Sequence, residues 1–242
     1  MESLNNYLEI LKLPRIYANY AQAAEACLKT GASYEGFLNI LAEQEVLGRM
    51  DANVQLRLKK AQFPSLKTLE NFNFKFIPSL NEKLVLSLSN GQYLENATNI
   101  LLLGPSGTGK SHIATALGVA ACQMRQAVLF KSAAQLVHEL IKAYDDGQLL
   151  KMQKKLKTYK LLIIDELGYV PFSKTGAELL FEVLSQSYER QSLIITSNLP
   201  FEEWPQVFGC PRLTGALLDR LTHHVEILQM NGASYRLNNG KR

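Results

Sequence analysis

Cysteine is scarce in this chain: Cys27, Cys122 and Cys210 are odd in number and far apart. Neither a disulfide framework nor, without a C-x-x-C pair or a Cys/His cluster, a structural zinc site is suggested. The three thiols read as small buried side chains in a reducing compartment. Long apolar runs are missing too. None approaches the roughly 18 residues that cross a bilayer. The opening MESLNNYLEILKL carries acid where a secretory leader carries base. A cytoplasmic protein without a membrane partner is the expectation. Strong charge of one sign is also lacking: 26 basic against 22 acidic residues leave a net +4, which permits a nucleic-acid partner without requiring one. No internal repeat or low-complexity tract organises the chain.

What is present is a chain of 242 residues, 47% hydrophobic, long enough to bury a sizeable core. From Met1 to about Ala61 the apolar spacing is helical, carried by Leu8, Leu11, Leu38, Leu41, Leu47, Leu56 and Leu58. Lys29-Thr30-Gly31 reads as a helix end with Gly31 in the left-handed conformation, and Ser33 caps a long helix over about 33–61. Arg49, Arg57, Lys59 and Lys60 lie on the polar face of its later part, and Pro64 breaks it. The texture changes over 63–80. We take 1–66 as a small all-helical N-terminal domain, suited to partner, DNA or oligomer contacts, and 67–242 as a second domain.

In the second domain short apolar runs alternate with helical stretches, the signature of a parallel sheet with crossover helices on both faces. Strands are expected at Asn99–Leu103, Ala127–Lys131, Lys160–Asp165, Leu193–Ser197 and His224–Leu228, with helices near 109–124, 133–144, 148–158, 175–189 and 212–221. The runs near 99, 160 and 193 are almost continuously apolar, as expected of strands covered on both sides.

The first of these strands leads into GPSGTGKS and then a helix, the context in which G-x-x-x-x-G-K-S binds phosphate. Glycines at 104, 107 and 109 let Gly104, Pro105, Ser106, Gly107, Thr108 and Gly109 turn backbone amides inward around a β-phosphate. Lys110 neutralises β- and γ-oxygens, Ser111 offers its hydroxyl to Mg²⁺, and His112 opens the helix whose positive end faces the phosphates. ATP and Mg²⁺ are the expected ligands. In LLIIDE, Asp165 ends a strand on the edge where open α/β sheets build their sites, and should hold Mg²⁺ through its water shell. Glu166 follows where the chain leaves the sheet, free to turn towards the γ-phosphate and polarise a water. SLIITSN brings Asn198 to the same edge, either to contact γ-phosphate or water or simply to form a turn before Leu199-Pro200. In GALLDRL, Arg220 suits either a transition-state contact to a neighbouring subunit's ATP or a salt bridge, for example with Asp219. Arg190, Arg212 and Arg236 are weaker nucleotide contacts, and His223 and His224 have no nearby metal-ligand set in the sequence.

These segments resemble the IstB-like ATPases, helper proteins of bacterial insertion sequences related to DnaC-type helicase loaders among the AAA+ proteins. The resemblance runs over nearly the whole chain: LKLPRIYANY, AQFPSLKTLENFNF, LLLGPSGTGKSHIATALG, LLIIDELGYVPF, YERQSLIITSNLPFEEW, LLDRLTHHVEIL and GASYRL. It implies a P-loop AAA+ fold, DNA-stimulated ATP hydrolysis, Lys110 and Ser111 as Walker A residues, Asp165 and Glu166 as the Walker B pair, Asn198 as sensor 1 and Arg220 as an arginine finger. Gln191 stands where the family often has a second Arg, and GCPR departs from a loop that often carries Asp. The sequence ends soon after GASYRL, so no C-terminal helical lid is expected.

The stretch SAAQLVHELIKAYDDGQLLKMQKKLKTYK is longer than one crossover helix requires, and two helices fit it better. The second sets Lys151, Lys154, Lys155 and Lys157 around an apolar seat of Leu149, Leu150, Met152 and Leu156. A basic face of this kind is either simply solvated or, as the resemblance implies, turned towards the phosphates of double-stranded DNA. The expectation is an ATP-dependent DNA-binding helper of transposition, a homo-oligomer in ring or spiral form that recruits or regulates a transposase. A DnaC-like loader of a replicative helicase is the alternative. A static ATP-bound scaffold and a small-molecule kinase are the readings from other classes.

Overall fold

The computed structural model describes residues 2–232, 234 and 235. Its chain divides into two compact units, Met1–Leu56 and Arg57–Arg242.

The first unit holds α1 (Glu2–Ile10), α2 (Pro14–Thr30) and the greater part of α3 (Tyr34–Ala61). Leu8, Ala23, Cys27 and Leu41 form its small buried core. Pro14 starts α2 with a φ already helical, yet the residue before it, Leu13, supplies no side-chain cap. The cap comes from α3 instead. Oε2 of Glu45 accepts the amide protons of Arg15 and Ile16 at 2.9 and 3.2 Å, and its Oε1 accepts Nε of Arg49 at 2.9 Å. Burial pushes the Glu45 carboxyl up, but the Arg49 and backbone donors outweigh it and hold the pKa below the ordinary carboxylate value. Gly31 ends α2 at φ 67°, and Oγ of Ser33 accepts the amide of Gly36 at 3.1 Å, as expected from the sequence.

The units divide within α3, ahead of the composition change at 63–80. The reason lies in the helix's last turn. Ala61 is fully buried, and Leu58 and Phe63 pack beside it in the core of the second unit.

That unit adds α4 (Glu82–Leu88), α5 (Gln92–Glu95), β1 (Asn99–Leu103), α6 (Lys110–Gln123), β2 (Val128–Ser132), α7 (Ala133–Asp145), α8 (Leu149–Leu156), β3 (Leu161–Leu167), α9 (Lys174–Ser187), β4 (Ser192–Ser197), α10 (Trp204–Phe208), α11 (Pro211–Thr222) and β5 (Val225–Gln229). All strand pairs are parallel, in the order β2-β3-β4-β1-β5. Side-chain alternation sends Ile100, Leu102, Leu161, Ile163 and Ile194 to the layer containing α6. Leu101, Leu103, Leu162, Ile164, Leu193 and Ile195 go to the layer of α7, α9 and α11. Burial on both faces is why these strands read as unbroken apolar runs. No helix among the described residues is long and apolar enough to cross a membrane.

The expected strands and crossover helices agree with those observed to within about two residues. The short helices α4, α5 and α10 were not expected, because four to seven residues give too little periodicity to read. The thiol expectation is corrected at one position. Cys27 and Cys122 are buried, but Cys210 is exposed, in the turn that leads into Pro211 at the start of α11. Burial pushes the Cys122 thiol up to about 11.

Candidate functional site

β4 lies between β1 and β3, so the carboxyl ends of three neighbouring strands meet at one edge of the sheet. β1 delivers Gly104 there, and the chain turns through Gly109 into α6. Gly104 has φ 147°, and a Cβ on it would meet the carbonyl oxygen of Met230 at 2.5 Å. Gly109 has φ 88°, with Cε2 of Phe72 at 2.6 Å from where a Cβ would stand. A Cβ would thus collide with backbone at Gly104 and with the Phe72 ring at Gly109, and both positions have a positive φ that L side chains rarely adopt. It is further tied down by Gly104 N donating to Ser197 O at 3.2 Å and Thr108 Oγ1 donating to Pro105 O at 2.9 Å.

Lys110 is buried, and its ammonium donates to the carbonyl oxygens of Gly104 and Pro105, each at 2.7 Å. Ser111 Oγ donates to Oδ1 of Asp165 at 2.9 Å. The same carboxylate oxygen accepts the hydroxyl of Thr196 on β4, at 2.5 Å. His112 lies within 2.8 Å of the Thr68 carbonyl through Nε2, which must carry the proton, and its ring stands edge-on to Phe72. His112 thus ties the start of α6 to the segment before α4.

The expected exit of the chain at Glu166 needs correction: β3 runs on to Leu167. Ile164 pairs with Ile195 and Leu167 with Ser197, so β3 holds one residue more than β4 across this step and bulges. Glu166 takes φ 60° there, a left-handed conformation unusual for a residue with a Cβ. Its amide leaves the ladder and donates to Oγ1 of Thr196 at 2.9 Å. The bulge, rather than a strand end, exposes Glu166.

These groups surround a cavity of about 950 Å³. Ser106 to His112, Asp165, Glu166 and Asn198 all line it, while Gly104 and Pro105 stand behind Lys110. More of the lining comes from the stretch 64–77, including Phe72 and Phe76, together with Tyr235. Tyr235 donates its amide to Gly107 O at 2.9 Å and stacks edge-on against Phe76. Sequence reading attached no role to this aromatic wall or to Thr196. The only clue was that AQFPSLKTLENFNF and GASYRL are distinctive; Ala233, Arg236 and Leu237 of the latter lie outside the described residues.

Other candidates lie away from the cavity. Arg220 donates to Ser185 Oγ at 3.2 Å, and its guanidinium sits 5.3 Å from the Phe181 ring centre, so it lies across α9 of its own chain. Arg190 and Arg212 are exposed outside the cavity wall, and Gln191 is buried, donating to Ser187 Oγ at 2.9 Å. His223 and His224 do have a ligand-bearing neighbour, contrary to the sequence reading. Folding brings exposed Glu189 to within 4.8 Å of both, and the Tyr188 hydroxyl lies 3.1 Å from Nδ1 of His223.

Lys151, Lys154 and Lys155 on α8 and Lys157, which caps its C-terminal end, are all exposed. The apolar seat is corrected: Leu150 faces out, 73% exposed, and Gln153 is buried in its place. Positions 149, 152, 153 and 156 follow i, i+3, i+4, i+7 and so share the inner face, from which Leu150 is turned by about 100°.

The chemistry of the cavity fits a nucleoside triphosphate with a hard cation. An amide-lined turn at a helix start and an ammonium suit phosphate. Ser111, by donating its proton to Asp165, keeps its lone pairs for a metal, and both groups offer the oxygen ligands that Mg²⁺ takes. Among solved structures, AMPPCP-bound DnaA from Aquifex aeolicus is similar with a TM-score of 0.56 and 21% identity, over 70% of this chain and 51% of that one. The DnaC helicase loader is similar with a TM-score of 0.51 and 18% identity, over 72% of this chain and 98% of that one. At such identities the likeness is one of fold, and the fold is that of the P-loop AAA+ proteins. Sequence relatives reach further. The ATP-binding protein assigned to insertion sequence IS21 of Pseudomonas aeruginosa is 38% identical over 98% of this chain and 89% of its own length. That of IS232 from Bacillus thuringiensis subsp. berliner is 35% identical over 98% and 94%. A family model described as IstB-like ATP binding protein matches residues 6–242, and with the phosphate loop, acid pair and sheet order in place the chain belongs to that family.

Proposed function

We propose that this protein is an ATP-dependent, DNA-binding helper of transposition: it assembles on duplex DNA as a homo-oligomer, hydrolyses ATP and recruits or regulates a transposase. The observation that carries the reading is the meeting of Ser111, at the end of the phosphate loop, with Asp165 in the cavity that Glu166 also lines, in a chain whose relatives are ATP-binding proteins of insertion sequences.

In this reading the loop amides and Lys110 hold the β- and γ-phosphates. The Lys110 ammonium, now on the Gly104 and Pro105 carbonyls, is already at the loop and can be taken over by a phosphate oxygen. Ser111 and Asp165 would hold Mg²⁺, which supplies neutralisation of the charge that builds on the β- and γ-oxygens. Glu166 accepts the proton of the attacking water as its oxygen approaches phosphorus. Asn198 orients that water or the γ-phosphate from the end of β4. Arg220 acts on the ATP of an adjacent subunit, which requires it to exchange its Ser185 partner for an intersubunit one. The exposed lysines of α8 bind DNA phosphates without reading sequence.

The test is steady-state phosphate release with Mg²⁺ and ATP, with and without duplex DNA, together with sedimentation of the DNA complex. Turnover that rises on DNA with an oligomer forming there is the expected result. A chain that binds ATP but releases no phosphate under either condition is a static scaffold, and the reading fails.

A further inference from the structure

Thr196 sits in the middle of a parallel sheet, 1% exposed, where a β-branched residue ordinarily does no more than pack. Its hydroxyl has a different employment. Oγ1 donates its one proton to Oδ1 of Asp165 and accepts the amide proton of Glu166, so a single atom spans both members of the acid pair. It also stands opposite the extra residue of β3. Between the Ile164–Ile195 and Leu167–Ser197 pairings the ladder cannot satisfy the Glu166 amide, and the Thr196 oxygen takes the place of a strand carbonyl. An amide in the sheet without that acceptor would favour a flat ladder, with Glu166 returned to an ordinary extended φ and its side chain directed elsewhere.

We propose that Thr196 is the positioning residue of the acid pair: its hydroxyl orients the Asp165 carboxylate towards Ser111 and stabilises the left-handed bulge that presents Glu166 to the cavity. The inference rests on reading the site as that of an ATPase, and assigns to one side chain the coupling of metal-facing and water-facing acids. It also links those acids to Asn198, two positions further along the same chain exit. Ser197 reinforces the link, donating its hydroxyl to Leu167 O at 2.7 Å and accepting the amide of Leu199 at 3.1 Å.

The decisive series is Thr196→Val, which keeps shape and removes the hydroxyl, Thr196→Ser, which keeps the hydroxyl, and Thr196→Ala as a second hydroxyl-free variant should valine not fold. Phosphate release and nucleotide affinity are measured on the full chain. In the folded hydroxyl-free variant, kcat falls at least tenfold while ATP affinity stays within about twofold, and Thr196→Ser restores at least half of the rate. Mn²⁺ affinity of the nucleotide complex, read by electron paramagnetic resonance, weakens severalfold in the same variant and recovers in Thr196→Ser. A purely structural hydroxyl would lower melting temperature without this split. An active parent whose hydroxyl-free variant turns over normally overturns the proposal and leaves the ATPase reading standing. A parent without turnover overturns that reading, and unchanged Mn²⁺ affinity across the series then overturns the proposal as well.

Discussion

The hydroxyl of Ser111, at the start of α6, donates to Oδ1 of Asp165 on β3 across 2.9 Å and 54 positions of sequence. One bond thereby fixes where a cation would sit relative to the phosphate loop. Ser111→Ala removes both the donor to Asp165 and the hydroxyl oxygen proposed to hold the cation. We expect about a tenfold rise in the Mg²⁺ concentration that supports nucleotide binding, the order found when partners of metal ligands are removed. Titration of a fluorescent ATP analogue at varied Mg²⁺ checks it; an unchanged Mg²⁺ requirement would show that the cation is held elsewhere.

Glu166→Gln preserves the size of the side chain and the amide bond to Thr196 while removing the basic oxygen. Turnover should fall by roughly 10²–10⁴, the range for loss of a positioned base. Nucleotide affinity should stay near that of the parent, and the DNA-bound assembly should persist longer. Equal loss of binding in a folded variant would count against the role given to Glu166.

The lysines of α8 make a second, independent case. Changing Lys151, Lys154 and Lys155 together to Ala should weaken duplex binding and lower the slope of log affinity against log salt by about 2–3, at roughly 0.9 for each DNA phosphate that is no longer neutralised. Fluorescence anisotropy at several salt concentrations measures both. A slope equal to the parent's would move the DNA surface to another face.

Glu45 carries a prediction for the first unit. Its carboxyl titrates below the ordinary value in the folded state, with Arg49 and the α2 amides as the charge-favouring partners. The stabilisation is therefore complete above the unfolded pKa of about 4.5 and is lost as pH falls through the lower folded pKa. Glu45→Ala should cost about 1 kcal/mol, as loss of a helix cap does, and remove that acid-side dependence. Hydrogen exchange at the Arg15 and Ile16 amides, followed from neutral pH to below about 4, provides the measurement. Protection that is identical in parent and variant would refute the cap.

Much of this architecture is legible in the residues because the controlling interactions are local. The runs at 99, 160 and 193 betray their burial, Gly31 and Ser33 mark a helix end and start, and GPSGTGKS states its own chemistry between a strand and a helix. What could not be read depends on partners distant in sequence. Thr196 looks like any β-branched strand residue until β3 and β4 align and place Asp165 and Glu166 against it. Glu45 looks like one acid among many on a helix until α2 arrives with an uncapped end. Leu150 is a different case: it reads as core by composition, and the local spacing of 149, 152, 153 and 156 along α8 turns it outward. The left-handed Glu166 follows from a register shift, which apolar patterning does not encode.

The unequal accessibility of the three thiols has a practical corollary. Cys27 and Cys122 are enclosed, and Cys122 is additionally slow to form a thiolate, whereas Cys210 stands open one position before α11, the helix that bears Arg220. A maleimide dye should therefore label the unmodified protein at a single point. Energy transfer between donor- and acceptor-labelled copies would then report, without mutagenesis, when that helix comes near its counterpart on another molecule.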